Sequence, residues 1–64
     1  MDFIKLKNKR KEYNERVINE IKTILECSDL RFNQLMFLIN GTEDYFNEEP
    51  WKTLKRIEDF KNNI

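Results

Sequence analysis

Hydrophobic positions recur along the chain at helical spacing in three separate blocks. In the first, Tyr13, Val17, Ile21 and Ile24 follow one another at steps of four, four and three, with Ile18 and Leu25 flanking. These positions share one face of a 3.6-residue period. The same face runs back through Arg10 to Leu6 and Phe3, so the pattern predicts a long helix over about residues 3–26. Glu12 and Arg16 stand four apart on its polar side, the favourable order for a helical ion pair. Ser28 and Asp29 offer side-chain oxygens as an N-cap for a second helix, which ends the first near Cys27.

The second block spans about residues 30–39. Phe32, Leu35, Met36 and Ile39 form one side, and Leu30 and Phe37 with Asn33 and Gln34 form another. A helix apolar nearly all round is expected at the centre of a fold, with Phe32 inward and Phe37 between the outer helices. An exposed Phe37 would instead be the aromatic anchor of an interface. Asn40-Gly41 closes this helix, with the glycine as a left-handed C-cap.

Residues 42–49 read as a connector in which Tyr45 and Phe46 stand among acids. Phe46 is expected to fold onto the core as a lid and Tyr45 to lie on the rim. Asn47 is a plausible cap for a third helix over about 48–62, Pro50 suits its first turn, and Glu48 and Glu49 suit its positive end. Trp51, Leu54, Ile57, Phe60 and Ile64 give that helix an apolar stripe, with Lys52, Lys55 and Arg56 read as its far side. The prediction is a single all-α, three-helix domain: a long N-terminal helix, a short central one and an amphipathic C-terminal one.

Lengths matter here. A helix over 3–26 is about 36 Å long, whereas the other two reach about 15 and 20 Å. The first turns, bearing Phe3, Ile4 and Leu6, must then overhang the core, fray, or be covered by another molecule. The stripe of Phe3, Leu6 and Arg10 is accordingly a candidate surface for self-association or partner docking.

The chain has 64 residues, and a domain of that size is marginally stable by itself. Its one cysteine precludes an internal disulfide and suits a reducing cytoplasm, with Cys27 expected as a small apolar filler. No apolar run approaches the ~20 residues of a membrane span, and the opening residues do not read as a secretion signal. The expected location is therefore cytoplasmic, with no membrane partner. Without histidine, without a glycine-rich loop and with a lone cysteine, the sequence offers no catalytic constellation, no metal site and no cofactor site. A non-enzymatic binding role is expected.

Twelve basic and twelve acidic residues cancel, but they are sorted along the chain. Residues 1–22 carry seven basic and four acidic side chains, and residues 41–50 carry four acids and no base. The acidic loop, with Glu43, Asp44, Tyr45, Glu48 and Glu49, and with Phe37 as an added anchor, is the candidate partner-binding surface. The basic start, with Lys5, Lys7, Lys9, Arg10 and Lys11, supports an alternative as a nucleic-acid-binding regulator gripping phosphates. A balanced total charge speaks against avid nucleic-acid binding. A third class is a self-associating structural component.

The run Asp29-Leu30-Arg31-Phe32-Asn33-Gln34-Leu35, followed by Asp44-Tyr45-Phe46-Asn47-Glu48-Glu49, resembles a pattern common in small phage and prophage proteins. There an acid precedes Leu-Arg-Phe, a small residue and Gln-Leu, and an acidic aromatic segment comes later; Asn33 stands where glycine is usual. The resemblance covers about residues 29–60 and carries over no functional residue. It implies a setting: tiny phage proteins of this kind, anti-CRISPR and other anti-defence inhibitors among them, often act by blocking a host machine. On that basis the chain is expected to bind and inhibit a bacterial nucleic-acid-handling or defence complex in the host cytoplasm, by steric block or acidic mimicry.

Overall fold

The computed structural model describes residues 3–63. Three helices are present and, among the described residues, no strand: α1 Phe3–Glu26, α2 Phe32–Asn40 and α3 Pro50–Asn62. Ile64, read above as the last position of the third stripe, lies outside the described residues.

The 24 residues of α1 form the spine of a molecule measuring 41 × 23 × 19 Å. Its apolar face meets α3. The side-chain pairs that join the two helices fix their direction. Arg10 meets Glu49 at 3.0 Å, Tyr13 meets Trp51 edge-on at 6.0 Å, and Glu20 meets Lys61 at 3.3 Å. Residue numbers rise together on both sides, so α1 and α3 run parallel, and α3 covers α1 only from about Lys9 onward. Lys9 caps this seam, its Nζ 3.9 Å from the centre of the Trp51 ring. The N-terminal overhang expected from helix lengths is therefore real: Phe3 and Ile4 are exposed and Leu6 is half-buried.

The core is small. Among the described residues, Ile24 of α1, Leu35 of α2, and Leu54 and Ile57 of α3 are buried, and only Leu35 and Ile57 are fully so. Val17, Ile21, Leu25, Leu30, Ile39 and Phe60 pack around Ile24, Leu35 and Ile57. The Glu12–Arg16 pair forms as the spacing predicts, at 3.0 Å.

The helix ends depart from expectation. Neither Ser28 nor Asp29 caps α2; Arg31 is the N-cap, and its N–H donates to Gln34 Oε1 at 2.9 Å. A glutamine three residues into a helix reaches back to the cap in this way. Asn47 does not cap α3 either; Glu49 holds that position and Pro50 follows at the first turn. Gly41 has a positive φ, as expected, but with φ 60° and ψ −134° it is not in the left-handed helical well. The Glu43 N–H donates to the Asn40 carbonyl at 3.2 Å. Together these make a type II′ turn with glycine at its first central position. The Gly41 N–H also donates to the Phe37 carbonyl at 2.7 Å and closes the last turn of α2.

α2 is not the enclosed central helix its composition suggests. Leu35 is buried and Met36 and Ile39 are half-buried, but Phe32, Phe37 and Leu38 are exposed. Two partners of limited length cannot surround a third helix. α2 lies against the α1–α3 pair and presents its opposite side to solvent.

Candidate protein-binding surface

The connector between α2 and α3 is organised by Arg56. Its Nε lies 3.0 Å from both carboxylate oxygens of Glu48, and its Nη2 donates to Glu48 Oε1 at 2.6 Å. Nη1 donates to Asn40 Oδ1 at 2.7 Å and to the Ile39 carbonyl at 3.4 Å. The guanidinium carbon lies over the Tyr45 ring, 3.5 Å from its centre. Thr53 adds a hydroxyl donated to Glu48 Oε1 at 2.7 Å. One side chain thus ties the end of α2, the middle of the connector and the body of α3. Only arginine has a planar fork that can donate to this many acceptors while resting on an aromatic ring. Hydrogen bonding from Arg56, foremost, holds the Glu48 carboxyl below the usual glutamate range, with Thr53 acting the same way.

This arrangement corrects three expectations. Arg56 does not sit on the far side of α3 with Lys52 and Lys55; it is half-buried against the connector. It stands four residues before Phe60, at the margin of the apolar stripe, and that spacing was its only signal in the sequence. Glu48 is not a free acid of an exposed loop, since 14% of its side chain remains accessible and it is consumed by Arg56. Glu49 is likewise engaged, bridged by Arg10 from α1. The third correction concerns the aromatics. Tyr45 is the half-buried one, beneath Arg56, whereas Phe46 forms no lid: it is 89% exposed, the most exposed large apolar side chain among the described residues. Adjacent residues in a turn point in different directions, and the cation claims the ring that can lie under it.

Phe46 is nonetheless held on an ordered loop. Its N–H donates to Asp44 Oδ1 at 2.9 Å, an Asx-turn, and the Glu48 N–H donates to the Tyr45 carbonyl at 3.0 Å. The outward-facing remainder of the predicted acidic surface is Glu43 and Asp44, with Phe46 between them and the clamp.

Phe37 belongs to the outer side of α2, with no clamp residue among its groove neighbours. There Leu30, Asn33, Gln34, Phe37 and Leu38 line an open groove of about 490 Å³. Phe37 is 63% exposed, the state that suits an interface anchor, not the burial expected between helices. The basic start divides as well. Arg10 is taken by Glu49 and Lys9 by Trp51, while Lys7 and Lys11 are exposed on α1. A continuous five-residue phosphate grip is therefore already partly spent within the fold. Cys27 is exposed, not a core filler, and borders a small depression with Thr23, Ile24, Ser28 and Lys61.

Among the described residues no three His, Cys, Asp or Glu side chains gather where a metal ion could be held. No helix among them is long and apolar enough to cross a membrane. The chain matches no protein-family model, no curated protein and no solved structure.

Proposed function

We propose that this chain is a non-enzymatic protein-binding module that docks through the 43–46 loop. The observation that carries the reading is Phe46, fully presented to solvent on a loop pinned from both sides, with two outward acids beside it. An aromatic anchor held in place before binding loses little freedom when it docks. Glu43 and Asp44 favour a partner surface that is basic around an apolar pocket. Nucleic-acid-handling machines carry such surfaces, and the resemblance to small phage proteins supplies a setting in which blocking one would be useful. Inhibition of a bacterial nucleic-acid-handling or defence complex is thus the function we favour. Steric block fits better than acidic mimicry, because Glu48 and Glu49 are neutralised by Arg56 and Arg10 and leave two acids, not four.

The test is affinity capture from bacterial lysate with the intact chain and with two variants. Phe46→Ala removes the anchor. Glu43→Lys with Asp44→Asn reverses the loop's charge while keeping an oxygen for the Phe46 N–H. A partner retained by the intact chain and lost by Phe46→Ala, with salt-sensitive binding weakened by the charge variant, is the expected outcome. A partner that ignores both variants excludes the loop as the docking site.

A further inference from the structure

We propose that two copies of this chain pair through the outer side of α2, forming a weak antiparallel two-fold dimer. This surface is distinct from the 43–46 loop and from the N-terminal overhang.

Charge is the first ground. Of 64 residues, 24 are charged, yet the nine residues of α2 carry none. A two-fold interface brings each residue near the same patch on the other copy, so a face of one sign repels itself. The overhang of α1, which bears exposed Lys7 and Lys11 and no acid from Phe3 to Lys11, has this defect. The outer face of α2 does not. It combines Leu30, Phe37 and Leu38 with the amides of Asn33 and Gln34, groups that both donate and accept and so complement themselves.

Shape is the second. A groove lined by a largely exposed Phe37 gives each copy both a recess and a ring to fill it. With Gln34 near the axis, antiparallel pairing sets Leu30 of one copy opposite Leu38 of the other and Phe37 opposite Arg31, whose guanidinium suits the face of an aromatic ring.

Area sets the strength. A face of five residues on a short helix covers on the order of 500 Å² per copy, so the pair falls just under the ~1,200 Å² at which standard interfaces begin. Association is therefore expected at high protein concentration, and at dilution the monomer prevails.

Sedimentation equilibrium of the full chain over a wide concentration range tests this. The expected result is a reversible shift toward twice the 7.9 kDa monomer mass. Phe37→Glu, which enters the interface twice, should weaken association by about a hundredfold or more while leaving the helical circular dichroism intact. Because a variant can fail for other reasons, a positive readout accompanies it. In a Cys27→Ser background, Gln34→Cys copies should cross-link on mild oxidation at least about tenfold faster than Lys52→Cys copies, since only the former meet near the axis. A chain that stays monomeric at the highest concentrations overturns the proposal. So does association unaffected by Phe37→Glu, association abolished by Ile4→Glu alone, or equal cross-linking at Gln34→Cys and Lys52→Cys.

Discussion

The α1–α3 pair and α2 are built on different terms. The pair is zipped along its seam by Val17, Ile24, Leu54 and Ile57, with an ion pair at each end and its charges outside. α2 is attached mainly through Leu35 and, at its C-terminal end, by Arg56. From Tyr13 onward the pair buries one apolar face per helix, and what it leaves in water is Ile18 and the overhang with Phe3 and Ile4. α2 has more apolar surface than the fold can cover. Surplus of that kind is where binding is to be sought, because a solvated apolar face forgoes roughly 1.5–3 kcal/mol per large side chain that burial would supply.

The sharpest way to break this contrast is to open the core from either side. A chain of this length has about 3–10 kcal/mol of stability in total. Ile57→Ala should cost about 3 kcal/mol, enough to lower the urea midpoint drastically and loosen all three helices together. Leu35→Ala removes a side chain of equal burial, but its effect should concentrate in α2. Amide exchange there should accelerate while that of Val17–Ile24 stays slower. Uniform acceleration would show that α2 is no separable unit.

Next in size is the clamp. Arg56→Met should destabilise by about 2 kcal/mol in urea titration, because it leaves the Asn40 Oδ1 without its donor and the Glu48 carboxylate with Thr53 alone. Acid should act on the same contact. Because the folded protein holds the Glu48 carboxyl below its usual value, the stabilisation is complete above the ordinary glutamate pKa of about 4.3 and is lost as pH falls from there through the lowered value. Glu48→Gln should flatten that part of the stability–pH profile, and a profile unchanged by the substitution would disown the clamp. The smallest effect belongs to Phe46. Phe46→Ser should change stability by no more than about 0.5 kcal/mol in the same titration, since the side chain packs on nothing.

Much of the architecture was legible in the sequence. The period of Tyr13, Val17, Ile21 and Ile24, carried back through Leu6 to Phe3, gives α1 its observed span, although the cap read at Ser28 and Asp29 is not used. The overhang followed from length alone. Composition could not say which side of α2 would be covered, because Phe32, Leu35 and Phe37 are equally apolar. Only the three-dimensional supply of partners decides among them. The loop was harder. Tyr45 and Phe46 have no period to orient them, and Glu48 looks like any surface acid until Arg56, eight residues on, is brought beside it. Polar contacts across that separation leave no rhythm in a chain. The candidate surface therefore kept Glu43 and Asp44, lost Glu48 and Glu49 to internal bonds, exchanged Tyr45 for Phe46, and gave up Phe37 to a separate groove on α2.

The parallel register of α1 and α3 also gives the molecule polarity. Phe3 lies at one pole, and Asn63, just past Lys61, lies beside the opposite end of the spine, about 30 Å away by helix rise. A short splice between the two ends would wrench the seam, so a circular permutant would need a linker of about ten residues or more.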